Sequence, residues 1–346
     1  MTMTKQYPKI SVCVPVYNGE KYIAQTLASL LEQDYPDFEV IVSDNQSTDG
    51  TAEIVRRLAA QNTRLAYTCT PERYGAAEHN FNNCLKLGVG EFIAVYHADD
   101  IYYKDMLRKS ADALLADASL GAVVTLADKI GSDGKIIGDG SFFYSNSVSD
   151  YNLQNAVSDV LRVGCSPFMC SSAMFRRALL AQHGLQWEHN KYRSSSDLGL
   201  FLKILRHAGI KLIKERLMGY RISQAQGSTA LIRQRTRKGD YFLVLRDYRE
   251  YIERDAYKGN YCFSVCKDLL VRALNFTYAG EVRKSDRRLK LFFSFFFNRA
   301  GLLYTLPKAY MLPLLGYSLL VINHLAPSAK LKRLLAGTLL RLGRTE

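Results

Sequence analysis

Three acidic stretches carry side chains whose type and spacing could do chemistry: Asp44, the run His97-Ala98-Asp99-Asp100, and Asp197. Asp44 closes the apolar run 38–43. A carboxylate held at a buried strand end accepts hydrogen bonds, and the N3–H edge of uracil or thymine is a donor it could select. A base lacking that donor would leave the acceptor unmatched, at ~1–3 kcal/mol. The alternative for Asp44 and Asn45 is a strand-to-helix turn with helix capping. Asp99 and Asp100 close the apolar run 91–96 together with His97. Carboxylates so placed hold Mg2+ or Mn2+ beside phosphate oxygens and water, and such a cation offsets the charge of a departing diphosphate. The alternative is an Asp-Asp turn favouring the N-terminus of the next helix. Asp197 stands at the head of the apolar run 198–205. It could take the proton of a hydroxyl, which is a weak nucleophile near neutral pH, or serve only as a first-turn acid.

The elements that must position these groups follow from periodicity. The run Ile10–Val16 reads as a first strand, ending in Tyr17-Asn18-Gly19-Glu20. Tyr22, Ile23, Leu27, Leu30 and Leu31 recur at helical spacing. The second strand, 38–43, leads into a helix over 51–61, with Ser47 or Asp49 as N-cap. A strand over 64–68, a helix over 76–87, the strand 91–96, a helix over 103–116 and a strand over 121–126 follow. Residues 127–150 are rich in Gly, Ser and Asp and read as turns with room for one hairpin. This alternation predicts an α/β fold with a mostly parallel sheet and helices on both faces. Three apolar strands therefore end in polar residues, and in open α/β sheets ligands sit outside the carboxyl ends of strands. One site built from three strand ends is expected.

The block VPVYNGEKYIAQTLASLLEQDYPDFEVIVSDNQSTDGT resembles the amino-terminal part of family 2 glycosyltransferases of the GT-A, Rossmann-like fold. The resemblance covers about the first 225 residues and is strongest over 10–100. It implies an inverting transferase of the kind that builds bacterial surface polysaccharides, with Mn2+ or Mg2+ as cofactor. It implies that Asp44 binds the nucleotide base, and that Pro15, Tyr17 and Asn18 at the adjoining strand end contact the nucleoside. The family's Asp-x-Asp maps onto His97, Ala98 and Asp99. Asp99 then takes the metal, Asp100 supports it or is a second ligand, and His97 contacts ribose or phosphate. Arg73, in the loop before the third helix, is expected to reach the diphosphate or to be a solvated surface residue. Asn80 matches a recurring asparagine of the family. The family's paired acids before an apolar helix fall on Ser196 and Asp197, which makes Asp197 the general base. Tyr220 and Arg221 match the closing strand, where Ser223 or Gln224 replaces a metal-approaching histidine. Residues 226–229 would form a loop closing over the donor. Trp187 is expected either to stack on an acceptor sugar or to pack in the core.

Composition bounds the rest. Seven scattered cysteines without a Cys-x-x-Cys pair suggest neither a zinc site nor a disulfide framework, and the short polar stretch 1–9 has no apolar signal region. A reducing cytoplasm is expected. The net charge of +13 is uneven: residues 1–230 hold 24 basic and 24 acidic side chains, residues 231–346 hold 22 and 9. The excess thus lies wholly in the last third, which marks a second module with an anionic partner. That module opens with Arg233, Arg235, Arg237 and Lys238. It carries Arg283, Lys284, Arg287, Arg288 and Lys290 before a Phe-rich run, an uncharged stretch 309–326, and then Lys330, Lys332 and Arg333. Basic clusters beside apolar helices fit a membrane interface. Pro313, Gly316, Asn323 and His324 interrupt a stretch that barely reaches the roughly 20 residues of a span, and a helical bundle packing on the catalytic domain is the alternative. No nucleic-acid-binding motif is present, and nucleic acid is not an expected partner.

The expected organisation is a catalytic domain over 1–229, divided into a nucleotide-sugar half (1–105) and an acceptor half (106–229), and a helical, basic module over 230–346. The expected function is metal-dependent transfer of a sugar from a UDP- or dTDP-linked donor to a glycan or polyprenyl-diphosphate-linked acceptor, on the inner face of the cell membrane. Two other functions remain open. A sugar-nucleotide nucleotidyltransferase would need a Gly-rich, basic loop after its first strand, which Val14 to Gly19 does not resemble. A non-catalytic membrane-docking module that binds nucleotide sugars would have no need to retain Asp44, Asp99, Asp100 and Asp197 together.

Overall fold

The structure is a computed structural model, and it describes residues 7–140, 148–222, 236–303 and 311–326. The chain folds as two compact units, Met1–Ala156 with Ser166–Ser223, and Val157–Cys165 with Gln224–Glu346.

The first unit alternates strands and helices: β1 (Ile10–Val16), α1 (Ile23–Leu31), β2 (Phe38–Asp44), α2 (Thr51–Ala59), β3 (Leu65–Cys69), α3 (Ala77–Leu87) and β4 (Phe92–Val95). Then come β5 (Ile101–Tyr102), α4 (Met106–Ala116), β6 (Leu120–Ile130), β7 (Ile136–Asp139) and β8 (Asp150–Tyr151). The chain passes through α5 (Leu153–Val163), most of which belongs to the second unit, and returns with β9 (Met174–Arg176), α6 (Arg177–His183), α7 (His189–Tyr192), α8 (Ser196–Ile204) and β10 (Gly209–Arg221). The sheet order is β3-β2-β1-β4-β9-β6-β10-β5. β3, β2, β1 and β4 are parallel neighbours, and β9 runs antiparallel between β4 and β6. All seven residues of β1 are buried, the pattern of a strand covered on both faces. In α1 the buried residues are Ile23, Thr26, Leu27 and Leu30, the i, i+3, i+4, i+7 stripe read from the sequence.

The mostly parallel α/β architecture is as expected, with local differences. β6 runs to Ile130, four residues past the expected end, because it stays paired with β10 as far as Ile130 and its last residues form a hairpin with β7. The helix expected from residue 103 starts at Met106, since Ile101 and Tyr102 pair antiparallel with β10 instead. Gly50 holds the N-cap position of α2. Asp49 Oδ1 accepts the Thr51 N–H at 3.0 Å, while Ser47 Oγ accepts the Asn18 N–H at 2.9 Å and so ties the β1 loop down.

The second unit is helical: α9 (Tyr241–Arg246), α10 (Arg249–Ile252), α11 (Asp255–Tyr278), α12 (Val282–Phe297), α13 (Ala300–Leu303) and α14 (Met311–Leu325). Its core joins Cys266, Leu269 and Ala273 of α11 to Leu289, Phe292 and Phe296 of α12 and to Leu312 and Leu319 of α14. Inside it Thr277, Ser285 and Asn323 satisfy one another: the Thr277 hydroxyl donates to Asn323 Oδ1 at 2.7 Å, and Asn323 Nδ2 donates to Ser285 Oγ at 3.0 Å. Among the described residues no helix is long and apolar enough to cross a membrane.

Candidate active site

The carboxyl ends of β1 and β2 lie side by side, with Pro15 opposite Ser43 and Val16 opposite Asp44. Asp44 is buried. Its Oδ1 accepts the Ser47 N–H at 2.8 Å and its Oδ2 accepts the Tyr67 hydroxyl at 2.8 Å, which orients the carboxylate from two sides. Asn18 has φ of +50°, a left-handed conformation that Asn adopts more readily than most residues. Its Oδ1 accepts the Thr48 N–H at 2.8 Å, joining the two strand-end loops. Tyr17 is 38% exposed, and the Arg73 guanidinium lies 4.3 Å from its ring centroid. The loop carrying Arg73 is held against β2 by Asn45, which donates to the Tyr74 carbonyl at 3.0 Å and accepts the Tyr74 N–H at 2.7 Å. Pro15, Tyr17, Asn18, Asp44 and Arg73 are thus brought to one edge. Asn80 is buried on α3 and bonded to Ser43, through its hydroxyl at 2.6 Å and its carbonyl at 2.7 Å, so it braces β2.

The third strand end is His97 to Asp100. The ligand atoms of His97, Asp99 and Asp100 lie within 4.8 Å of one another. Thr26 of α1 holds the loop by donating toward the carbonyls of Ala98 (2.9 Å) and Asp100 (2.7 Å). Tyr102 accepts the His97 N–H at 2.7 Å. The remaining support is Arg221 at the end of β10, fully buried. Its amide donates to Asp100 Oδ1 at 2.9 Å, and its guanidinium donates to the carbonyls of Asp99 (2.5 Å) and Gly131 (2.8 Å) and to Gln25 Oε1 (2.7 Å). Burial and then the Asp99 charge push the Asp100 carboxyl well above the usual carboxylate range. Burial pushes the His97 imidazole down, against the Asp99 charge. His97 Nε2 and Asp100 Oδ2 are buried and lack hydrogen-bond partners. Orphaned polar atoms of this kind cost free energy unless something fills them. A divalent cation answers that cost, and an imidazole with two carboxylates is a donor set that suits Mn2+ and, less fully, Mg2+.

Asp197 is half-buried in the first turn of α8, where its Oδ1 accepts the Leu198 N–H at 2.7 Å. Burial raises its carboxyl to about 6; the Leu198 amide opposes the rise and the Glu78 charge adds to it. A cavity of about 450 Å³ opens between α3 and the segment 186–191, lined by Tyr74, Glu78, His79, Asn82, Lys86 and His189 among others. That volume lies within the range of small-molecule sites, roughly 300–1,000 Å³. Trp187 is 2% exposed and packs edge-on against Phe81 (5.4 Å) and Phe175 (6.0 Å), so it is a core residue. Its backbone is clamped by Asn82, which bonds both its N–H (2.9 Å) and its carbonyl (2.8 Å).

Ser223, Gln224, the loop 226–229, Arg233, Arg235, Lys330, Lys332 and Arg333, and the start of the stretch 309–326, lie outside the described residues. Sequence reasoning passed over Thr26, Glu78 and the buried role of Arg221, and gave Asn45 only as part of a capping turn. An arginine closing the apolar end Leu217-Met218-Gly219-Tyr220 of a strand was the one local signal among these. The others are polar residues on helix faces or turns, indistinguishable in sequence from solvated ones.

Residues 11–184 match the sequence profile described as Glycosyl transferase family 2. The Bacillus subtilis protein named as teichuronic acid biosynthesis glycosyltransferase TuaG is 27% identical over 262 residues, covering 75% of this chain and 95% of that protein. Several other curated relatives are matched over less than half of their own length. Staphylococcus aureus TarS, a poly(ribitol-phosphate) beta-N-acetylglucosaminyltransferase, is 39% identical over 105 residues, 30% of this chain and 18% of TarS. In structure, TarS 1–349 in complex with UDP-GlcNAc superposes with a TM-score of 0.60 at 21% identity, over 97% of this chain and 92% of that one. The mannosyltransferase PcManGT of Pyrobaculum calidifontis, in complex with GDP-Man and Mn2+, does so at 0.55 and 20% identity, over 95% and 88%.

Proposed function

This chain belongs to glycosyl transferase family 2, and from that premise we propose that it moves a sugar from a uridine- or thymidine-diphosphate donor to a hydroxyl of a surface glycan or its lipid-linked precursor, with inversion. The observation that carries the reading is the convergence of three strand ends with the His97, Asp99 and Asp100 cluster. Asp44, oriented by Ser47 and Tyr67, would accept the N3–H of the base. Pro15, Tyr17 and Asn18 would flank the nucleoside, and Arg73 would swing from the Tyr17 ring to the diphosphate.

Asp99 and Asp100, with His97 contributing its free nitrogen, would hold Mn2+ or Mg2+. When bound, the cation supplies positive charge to the departing diphosphate. Asp197 takes the proton as the acceptor O–H bond breaks. The acceptor oxygen bonds to the anomeric carbon from the face opposite the diphosphate, and the carbon–oxygen bond to the diphosphate breaks with its electron pair leaving on phosphate. A single displacement of this kind inverts the centre, through an oxocarbenium-like transition state. The cavity beside α3, with Tyr74, His79 and His189 on its wall, is offered as the acceptor's approach.

The second unit is proposed to rest on the anionic inner face of the cell membrane. α14 exposes Met311, Leu314, Tyr317, Val321 and Leu325 along one side, each at least 50% exposed, and carries no charged residue but His324 at its end. α12 exposes Arg283, Lys284, Arg287 and Lys290.

The test is the thermal stability of the full chain with UDP-, dTDP-, GDP- and CDP-sugars, with and without Mn2+. A ligand that binds only the folded state adds RT ln(1+[L]/Kd) to its stability, about 2.7 kcal/mol at a hundredfold excess over Kd, and raises Tm accordingly. Mn2+-dependent stabilisation by UDP or dTDP compounds, lost in Asp99→Ala, is expected. Equal stabilisation by GDP-sugars would remove the base-selecting role of Asp44, and no response to any nucleotide would remove the donor site.

A further inference from the structure

Glu78 sits in the first turn of α3, with one oxygen hydrogen-bonded and the other beside an imidazole. Oε1 accepts the Ser196 hydroxyl at 3.2 Å, and Oε2 lies 3.1 Å from His189 Nδ1, with the Glu78 side chain only 18% exposed. Ser196 is buried and directly precedes Asp197. A mostly buried carboxylate therefore ends on the residue next to a second, half-buried carboxylate. Like charges so placed disfavour each other's ionisation. A tie between α3 and α8 would not need that cost, because a glutamine accepts the same hydroxyl without a charge.

We propose that Glu78 is a positioning residue for the transfer reaction: through Ser196 it sets the first turn of α8, and through its charge it acts on Asp197. The inference rests on Asp197 being the general base. A base is most effective when its proton affinity lies near the working pH, and the Glu78 charge moves Asp197 in that direction. His189, with Nδ1 3.1 Å from Glu78 Oε2, is the neighbour on the other side of that carboxylate. Also facing Asp197 are the Cys170 thiol, itself pushed up by burial and by the Asp197 charge, and the Leu198 amide. Neither carries a positive charge that would cancel the effect.

The test is the titration of Asp197 itself, which needs neither donor nor acceptor. The full chain is labelled with carboxyl-13C aspartate and followed by NMR against pH, the Asp197 signal being the one lost in Asp197→Asn. In Glu78→Gln, which keeps an acceptor for Ser196, the midpoint of Asp197 is expected to fall by about half a pH unit or more. The double variant Glu78→Ala/Ser196→Asp, which returns a carboxylate beside Asp197, is expected to restore it. An unchanged midpoint in Glu78→Gln overturns the proposal and leaves Glu78 a structural tie. The fate of the base is read separately, from Mn2+-dependent turnover of UDP-GlcNAc and other UDP- and dTDP-sugars with water as acceptor. If Asp197→Asn retains that turnover, the base assignment fails, and the role of Glu78 in the reaction fails with it even where the midpoint moves.

Discussion

Asp197 shows how one position sets a pH response. Its carboxyl is raised to about 6 in the folded chain, and a base acts only when ionised. Turnover is therefore expected to fall about tenfold per pH unit below that value and to level off above it. Asp197→Asn should lower turnover by about 10²–10⁴-fold and remove the acidic limb. The same shift has a stability consequence of opposite sign. A carboxyl whose affinity for its proton rises on folding stabilises the fold while protonated, fully so below its unfolded value. That contribution is lost as pH rises through about 6. Asn at 197 should thus raise stability at pH 8, by at most about 3 kcal/mol, and leave it little changed at pH 4, as read from Tm at the two values. A variant that is inactive and less stable at pH 8 would make Asp197 a structural residue. Asp44, Asp99, Asp100 and Asp197 were legible because each sits at a strand end or helix start that local pattern can find. Their supports were not. Arg221 reaches Asp100 across 121 residues, Glu78 reaches Ser196 across 118, and Thr26 reaches Asp100 across 74.

Among the elements, α8 is the one whose packing decides where Asp197 points. Gly199 leaves room for the Tyr192 ring: a Cβ there would stand 2.3 Å from Tyr192 Cδ2. Tyr192 is buried, and the next residue, Arg193, has φ of +53°. The turn from α7 to α8 is thus held by a ring lying on a glycine. Ala is the better helix former by about 1 kcal/mol, yet Gly199→Ala overpacks the site, at about 1–3 kcal/mol. The expected outcome is a lower Tm together with lower turnover, because the displaced ring carries the residues before Asp197 with it. A raised Tm would show that propensity outweighs packing at this position. Periodicity found α1 and the three strand ends with little error. It misjudged the extent of β6 and the start of α4, because β10 pairs with both β6 and β5, and pairing partners are not written in a local window.

For the molecule as a whole, the charge asymmetry and the exposed apolar side of α14 belong to the same unit. The chain is expected to bind vesicles containing phosphatidylserine and to ignore neutral ones, with about 1 kcal/mol from each basic side chain near the surface and weakening as salt rises. Leu314→Asp with Val321→Asp changes only the exposed side of α14 and leaves Leu312, Leu319 and Ile322 buried. It should release the protein from vesicles without lowering Tm. Undiminished binding by that variant would assign the exposed stripe to another purpose.

Residue type and spacing were enough for the α/β class, the run of strands leading to one edge, the acidic residues delivered there and the basic character of the last third. These rest on period, end signals and net charge, all local or additive along the chain. The buried Arg221 beneath Asp99 and Asp100, the orphaned nitrogen of His97, the raised proton affinity of Asp197 and the clamp of Glu78 on Ser196 required the folded molecule. Each depends on desolvation or on a partner brought from a distant segment, and neither burial nor distance exists until the chain has closed on itself.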